Sequence, residues 1–217
     1  MSKIRETISL TKDEIVLLIK ADWTKSLLVY VTGLPIISLI MTFFIGHSSA
    51  FLGIIIIGSG LMNVFYAPRQ FSFNKETLRN VSAASFTIAR LLTLWLFNML
   101  FLLLLPVLII MKFEKDEILV FLCFFIYCFG FVSPLDNLIS SIALKYGTLW
   151  SKKKYYAITI FTGLLPLLPF PFVLLSGTHQ ILIMKMFALS GLITLIITPL
   201  ILRVAIRNIE NSIKFSG

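Results

Sequence analysis

Apolar runs long enough to cross a lipid bilayer recur along this chain, and no other feature restricts its fold so severely. A hydrocarbon core of about 30 Å takes roughly 18–20 helical residues to cross. Six stretches approach or exceed that length, at residues 27–46, 51–67, 91–111, 118–144, 155–176 and 182–202. Within a bilayer every backbone amide and carbonyl must find a partner inside the protein, so such runs fold as helices. The sequence therefore predicts an all-α polytopic membrane protein of six transmembrane helices. The links "HSSA" (47–50), "KFEKDE" (112–117) and "GTHQI" (177–181) are short enough to pair the helices as three antiparallel hairpins.

Charge then orients the hairpins. Of the 19 lysines and arginines, only Lys112, Lys115 and Lys185 fall on one side of this arrangement. On the other side lie Lys3, Arg5, Lys12, Lys20 and Lys25, then Arg69, Lys75, Arg79 and Arg90. Lys145, Lys152, Lys153, Lys154, Arg203, Arg207 and Lys214 complete that set. Basic residues collect on the cytoplasmic face, so both termini are expected in the cytoplasm. The net charge of +9 is then a matter of topology and attraction to anionic lipid, not of nucleic acid. Residues 1–26 form a cytoplasmic segment and 27–202 the transmembrane domain, with cytoplasmic loops at 68–90 and 145–154 and a tail at 203–217. The opening residues mix basic and acidic side chains and lack a small-residue cleavage site, unlike a signal peptide. Heavy use of Ile, Lys and Phe fits a low-GC bacterium, hence its cytoplasmic membrane.

Catalytic constellations are missing. A zinc protease needs H-E-x-x-H, yet the two histidines, His47 and His179, are isolated at outer hairpin ends. Ser59 in "IGSG" has no histidine at its depth, and Asp136 is the only acid placed deep enough for an aspartyl enzyme. No Walker A loop is present. Cys123 and Cys128, five apart on one helix, point to separate faces and read as packing residues. The sequence thus predicts no catalytic residue, no metal site and no cofactor held by this chain.

Polar residues inside the spans carry more information. Asp136 lies in "VSPLDNLISS", behind Pro134, where a helix kinks or breaks. Three readings stand for it. Asp136 or Asn137 caps a shorter helix after a break, or Asp136 handles a proton or substrate, or it pairs with a neighbouring Lys or Arg. Asn63 and Asn98 are candidates for interhelical hydrogen bonds. Pro166, Pro169 and Pro171 in "TGLLPLLPFPFVLL" must distort the fifth span, as a gate or simply as shape.

Two cytoplasmic pieces have a pattern of their own. In "SLTKDEIVLLIKADW", Thr11-x-x-Glu14 matches a capping box, with Lys20 later and Trp23 at the membrane surface. This predicts an amphipathic interfacial helix. In residues 71–90, Asn74 is placed to cap a short helix through Lys75, Glu76, Thr77, Leu78 and Arg79, and Ser85 to cap the next. Four to six residues reverse the chain elsewhere, so this length invites a purpose.

Six spans, both termini inside, an amphipathic helix before the first span and an elaborate loop before the third resemble the ABC-2 type permease family. In "ETLRNVSAASFTIARLL", Glu76, Leu78, Val81, a turn at 82–85 and Arg90 are similar to that family's loop, with Ala83 or Ala84 where it has a proline. The resemblance implies a half-transporter paired with a second permease copy or paralogue. Separate cytosolic ATPases would supply ATP and Mg, and 74–81 would be the coupling helix. Small outer loops favour export of an amphipathic or hydrophobic cargo such as a peptide, bacteriocin or lipid. The alternatives are a six-span substrate-binding subunit of an energy-coupling importer, and a stand-alone membrane immunity or scaffold protein.

Overall fold

A computed structural model describes residues 3–20, 81–102, 114–145, 161–162, 164–175 and 179–214. The expected spans at 27–46 and 51–67, with Asn63, lie outside the described residues. So do Trp23 and the loop residues Asn74, Lys75, Glu76, Thr77, Leu78 and Arg79. The described residues are helical, with no strand among them. In chain order they form α1 (Lys3–Lys20), α2 (Ala83–Phe101), α3 (Lys115–Tyr127), α4 (Ser133–Lys145), α5 (Pro169–Leu175) and α6 (Gln180–Lys214). A π-helical turn, Cys128–Val132, joins α3 to α4 without a break. Two stretches are long and apolar enough to cross a membrane: Lys115–Ile142, 28 residues, and Gln180–Ser212, 33 residues.

The amino-terminal helix begins earlier than its capping-box pattern predicts. Thr11 lies in its interior, and its hydroxyl donates to the Thr7 carbonyl at 2.9 Å. Thr7 does the same to Lys3 at 2.9 Å, so both threonines satisfy themselves on their own helix. Thr7, Leu10 and Thr11 are buried at helical spacing while Ile4 and Ile8 stay exposed. Glu14 lies in the body of the same helix and Lys20 is its last residue.

Helix α2 also starts upstream of its expected cap. Ser82, not Ser85, takes the capping position: its hydroxyl accepts the Ser85 N–H at 3.1 Å and its carbonyl the Phe86 N–H at 3.0 Å. Arg90, assigned by sequence to the loop, therefore sits seven residues inside a helix. At α3, the acids expected in an outer loop are helix-starting groups. Glu117 Oε2 accepts the Glu114 N–H at 3.1 Å, and Asp116 and Glu117 occupy the positive end of the helix.

Pro134 neither breaks nor ends its helix. The π turn sends the Ser133 N–H to the Cys128 carbonyl, and proline has no N–H for the carbonyl that follows. Phe129 is thus left with a carbonyl that its own helix does not use, and Trp95 of α2 donates Nε1–H to it at 3.0 Å. The two rings stack at 4.9 Å. Replacing Trp95 with phenylalanine keeps the stacking but removes the donor. It should cost about 1–3 kcal/mol in thermal unfolding of the detergent-purified protein, the penalty for an unpaired carbonyl in an apolar setting.

Prolines shape the segment at 165–175 in the same way. Pro169 cannot bond the Leu165 carbonyl, and residues 165–167 tighten into a 3₁₀ turn ahead of α5. That carbonyl takes the Leu168 N–H at 3.2 Å and the Tyr127 hydroxyl at 2.8 Å. Pro166 and Pro169 are fully buried, whereas Pro171 is exposed in the first turn of α5. A core of Phe121, Phe124, Tyr127, Leu165, Met184 and Ala188 joins this region to α3 and α6. Cys123 and Cys128 are both buried and free.

Helix direction follows from these contacts. Residues pair across α2 and α4 in opposite chain order, so these helices are antiparallel. Gly130 meets Gly191, and Ser141 meets Asn208, so α6 runs parallel to α3–α4. The intervening chain must return to its starting side. Helix α6 continues to Lys214, through most of the residues expected to form a tail. Only 28% of its most apolar stretch is buried, and Leu182, Met186, Leu189, Ile193, Ile196 and Leu200 face outward. Ile196 is 79% exposed, so this helix presents an apolar face of the kind that meets lipid or another protein.

Candidate functional site

The polar side chains of α2 and α4 meet along a single seam. On α4, Ser133, Asp136, Asn137 and Ser140 recur at helical spacing and share one face. On α2, Thr87, Arg90 and Asn98 share another. Asn137 Nδ2 donates to the Thr87 carbonyl at 3.0 Å, and Asn98 Nδ2 to the Ser133 hydroxyl at 2.7 Å. Ser133 in turn donates to the Cys128 carbonyl of the π turn at 3.1 Å. Each amide bridges the two helices.

Between these bridges lies an ion pair. The Arg90 guanidinium donates to Asp136 Oδ2 at 3.0 Å and to the Ser140 hydroxyl at 2.6 Å. The arginine side chain is 1% exposed and the aspartate 11%. Guanidinium does not lose its proton in a protein, so an arginine this deeply buried must hold an anion. Asp136 is that anion. It is not a cap, because its helix runs unbroken from α3, and Asn137 is likewise a bridge within the helix. Of the three readings, the geometry is that of a pair with a neighbouring base. Its partner is the arginine that sequence placed outside the span.

A second cluster fastens α1 to α2. Glu6 Oε1 accepts the Ser82 N–H at 3.0 Å, and Oε2 accepts the Ser85 hydroxyl at 2.8 Å. Ser82 donates its own hydroxyl to Ser85 at 2.7 Å. A carboxylate from a distant helix thus sits at the positive end of α2, where unbonded amides welcome an anion. Val81 lies at the bend just before it, half-buried.

The Ser82 N–H, and then the Ser85 hydroxyl, hold the Glu6 carboxyl below the ordinary value of 4.5. A carboxyl lowered by folding adds stability above its unfolded pKa and loses it as pH falls through the folded one. A spin label at Ser9→Cys, on the exposed side of α1, should stay immobile at pH 7. It should gain mobility as pH drops through about 4.5 and below. Glu6→Gln should give the mobile spectrum at every pH.

The sequence reading missed Glu6, Ser82, Thr87, Ser133 and Ser140 as site residues. A further bridge, Asn208 Nδ2 to the Ser141 hydroxyl at 3.2 Å, ties α6 to α4. Among the described residues no group of His, Cys, Asp and Glu is arranged to hold a metal. No protein-family model, no curated protein and no solved structure matches this chain.

Proposed function

We propose that the chain is the permease subunit of an ATP-driven exporter of the ABC-2 type, with six spans in a bacterial cytoplasmic membrane and both ends in the cytoplasm. It would act with a second copy or a paralogue, and cytosolic ATPases carrying ATP and Mg would drive it. The cargo would be amphipathic or hydrophobic. The observation that carries this reading is the Glu6 clamp, which ties the amino-terminal helix to the end of the 68–90 loop and the start of α2. Arg90 and Asp136 then tie α2 to α4. An ATPase pressing on the loop would therefore move α1 and α2 as one body and load the Arg90–Asp136 contact with α4, the coupling that such a machine needs. The antiparallel pairing of α2 with α4 and the parallel pairing of α4 with α6 fit a third, fourth and sixth span of a six-span topology.

Mild detergent extraction of the tagged protein from its native cell should retain a roughly stoichiometric ATPase. Glu76→Ala/Arg79→Ala should release it and uncouple ATP turnover. Recovery of the intact chain without any nucleotide-hydrolysing partner, in several detergents, would discard the exporter and favour a stand-alone membrane role.

A further inference from the structure

The two faces of the α3–α4 helix are built differently. Toward α6 it makes backbone contact: a Cβ on Gly130 would meet the Gly191 carbonyl oxygen at 2.4 Å, and one on Gly191 the Ile126 oxygen at 2.6 Å. Such close approach welds two helices by dispersion and leaves no room between them. Toward α2 it is bridged by polar side chains: Arg90 meets Asp136 and Ser140, Asn98 meets Ser133, and Asn137 reaches the Thr87 backbone carbonyl. A single hydrogen bond between helices contributes only modestly in lipid, and this seam adds a buried ion pair to its two amide bridges. The π turn that aims Ser133 and Asp136 at the seam is a feature concentrated at functional sites. Asp136 also keeps an 11% exposed edge beside an arginine that has almost none.

Building on the permease reading, we infer that this seam is a closed binding cleft whose ligand is a zwitterionic amphiphile. Its anionic group replaces Asp136 on Arg90, and its cationic group replaces Arg90 on Asp136. The charge requirement follows from the pair itself. A ligand of one sign satisfies one member and strands the other in a poorly solvated interior, whereas a ligand carrying both signs compensates both. At the uncharged bridges the Asn98 and Asn137 amides and the Ser133 hydroxyl can turn to the ligand's polar atoms, while the fixed Thr87 carbonyl takes a donor from the ligand. Hydrophobic peptides with free termini and aminophospholipids share this chemistry.

The test uses the full chain in phosphatidylglycerol nanodiscs, which contain no zwitterion, without ATPase or ATP. Trp95 is the reporter in a Trp23→Phe/Trp150→Phe background, since it bonds and stacks across the seam. Leucyl-leucine and lysophosphatidylethanolamine are the zwitterionic probes, and the tighter of the two identifies the source. N-acetyl-leucyl-leucine keeps only the anion, leucyl-leucinamide only the cation. A saturable emission change is expected, with either zwitterion at least tenfold tighter than both singly charged peptides. Arg90→Gln and Asp136→Asn should each abolish that preference, and the exchange Arg90→Asp/Asp136→Arg, which keeps both charges, should restore it. Equal responses to all charge forms, no saturable response, or a preference that survives both single neutralisations would overturn the inference. Loss of the ATPase partner would remove the permease reading and leave this binding result standing. Failure to bind with an ATPase present would remove the cleft alone.

Discussion

Asp136→Leu is expected to destabilise the helical bundle by about 3–5 kcal/mol, because it leaves a buried guanidinium without its anion. Arg90→Met should cost less. The stranded partner is then the carboxylate, which keeps an 11% exposed edge where the guanidinium has 1%. The double replacement Arg90→Met/Asp136→Leu should recover most of the loss, since a buried pair exchanged for apolar groups of similar size is often close to neutral. Denaturation midpoints of the purified protein in detergent, arranged as a double-mutant cycle, measure this directly. Single effects that simply add in the double variant would show that the two charges do not stabilise one another, whatever their 3.0 Å separation.

The helix crossing at Gly130 and Gly191 should give the next largest effect. In an unobstructed helix, glycine to alanine gains about 1 kcal/mol from propensity. Here the added methyl of Gly130→Ala would lie 2.4 Å from a carbonyl oxygen and 2.7 Å from its carbon, both backbone atoms that cannot swing aside. Overpacking of this kind costs about 1–3 kcal/mol, and more when the obstacle is rigid, so a net loss of about 2 kcal/mol is expected. Gly191→Ala should lose a similar amount, and leucine at either position more. Stabilisation on alanine substitution would mean that α3–α4 and α6 are free to separate.

The helical character was legible in the apolar runs, and two helices of 28 and 33 residues are long and apolar enough to cross a membrane, as those runs predict. Boundaries were less so. Thr11-x-x-Glu14 has the form of a capping box, but a threonine can equally bond the carbonyl four residues back, and only the burial of Thr7 and Leu10 decides between the two. Ser82 and Ser85 are equally good caps on paper, and the choice went to the one whose backbone N–H Glu6 accepts. Asp136 stood out because an acid in an apolar helix needs an explanation. Its partner did not, since Arg90 falls at the edge of an apolar run and was counted among cytoplasmic bases. Pro134 and Pro169 could be read as distortions. That Trp95 and Tyr127 would supply the missing hydrogen bonds could not, because which aromatic lies beside which carbonyl is a matter of three-dimensional packing.

The clamp at the head of α2 also sets a timetable. Glu6 and Ser82 are separated by 76 positions. At roughly 5–20 residues per second, synthesis reaches Ser82 about 4–15 s after Glu6 has been made. During that interval α1 is complete as a segment, but the surface that will cover Leu10 does not yet exist. The ribosome, a chaperone or the lipid headgroups must shelter that face first, and the finished helix takes its place only by exchange.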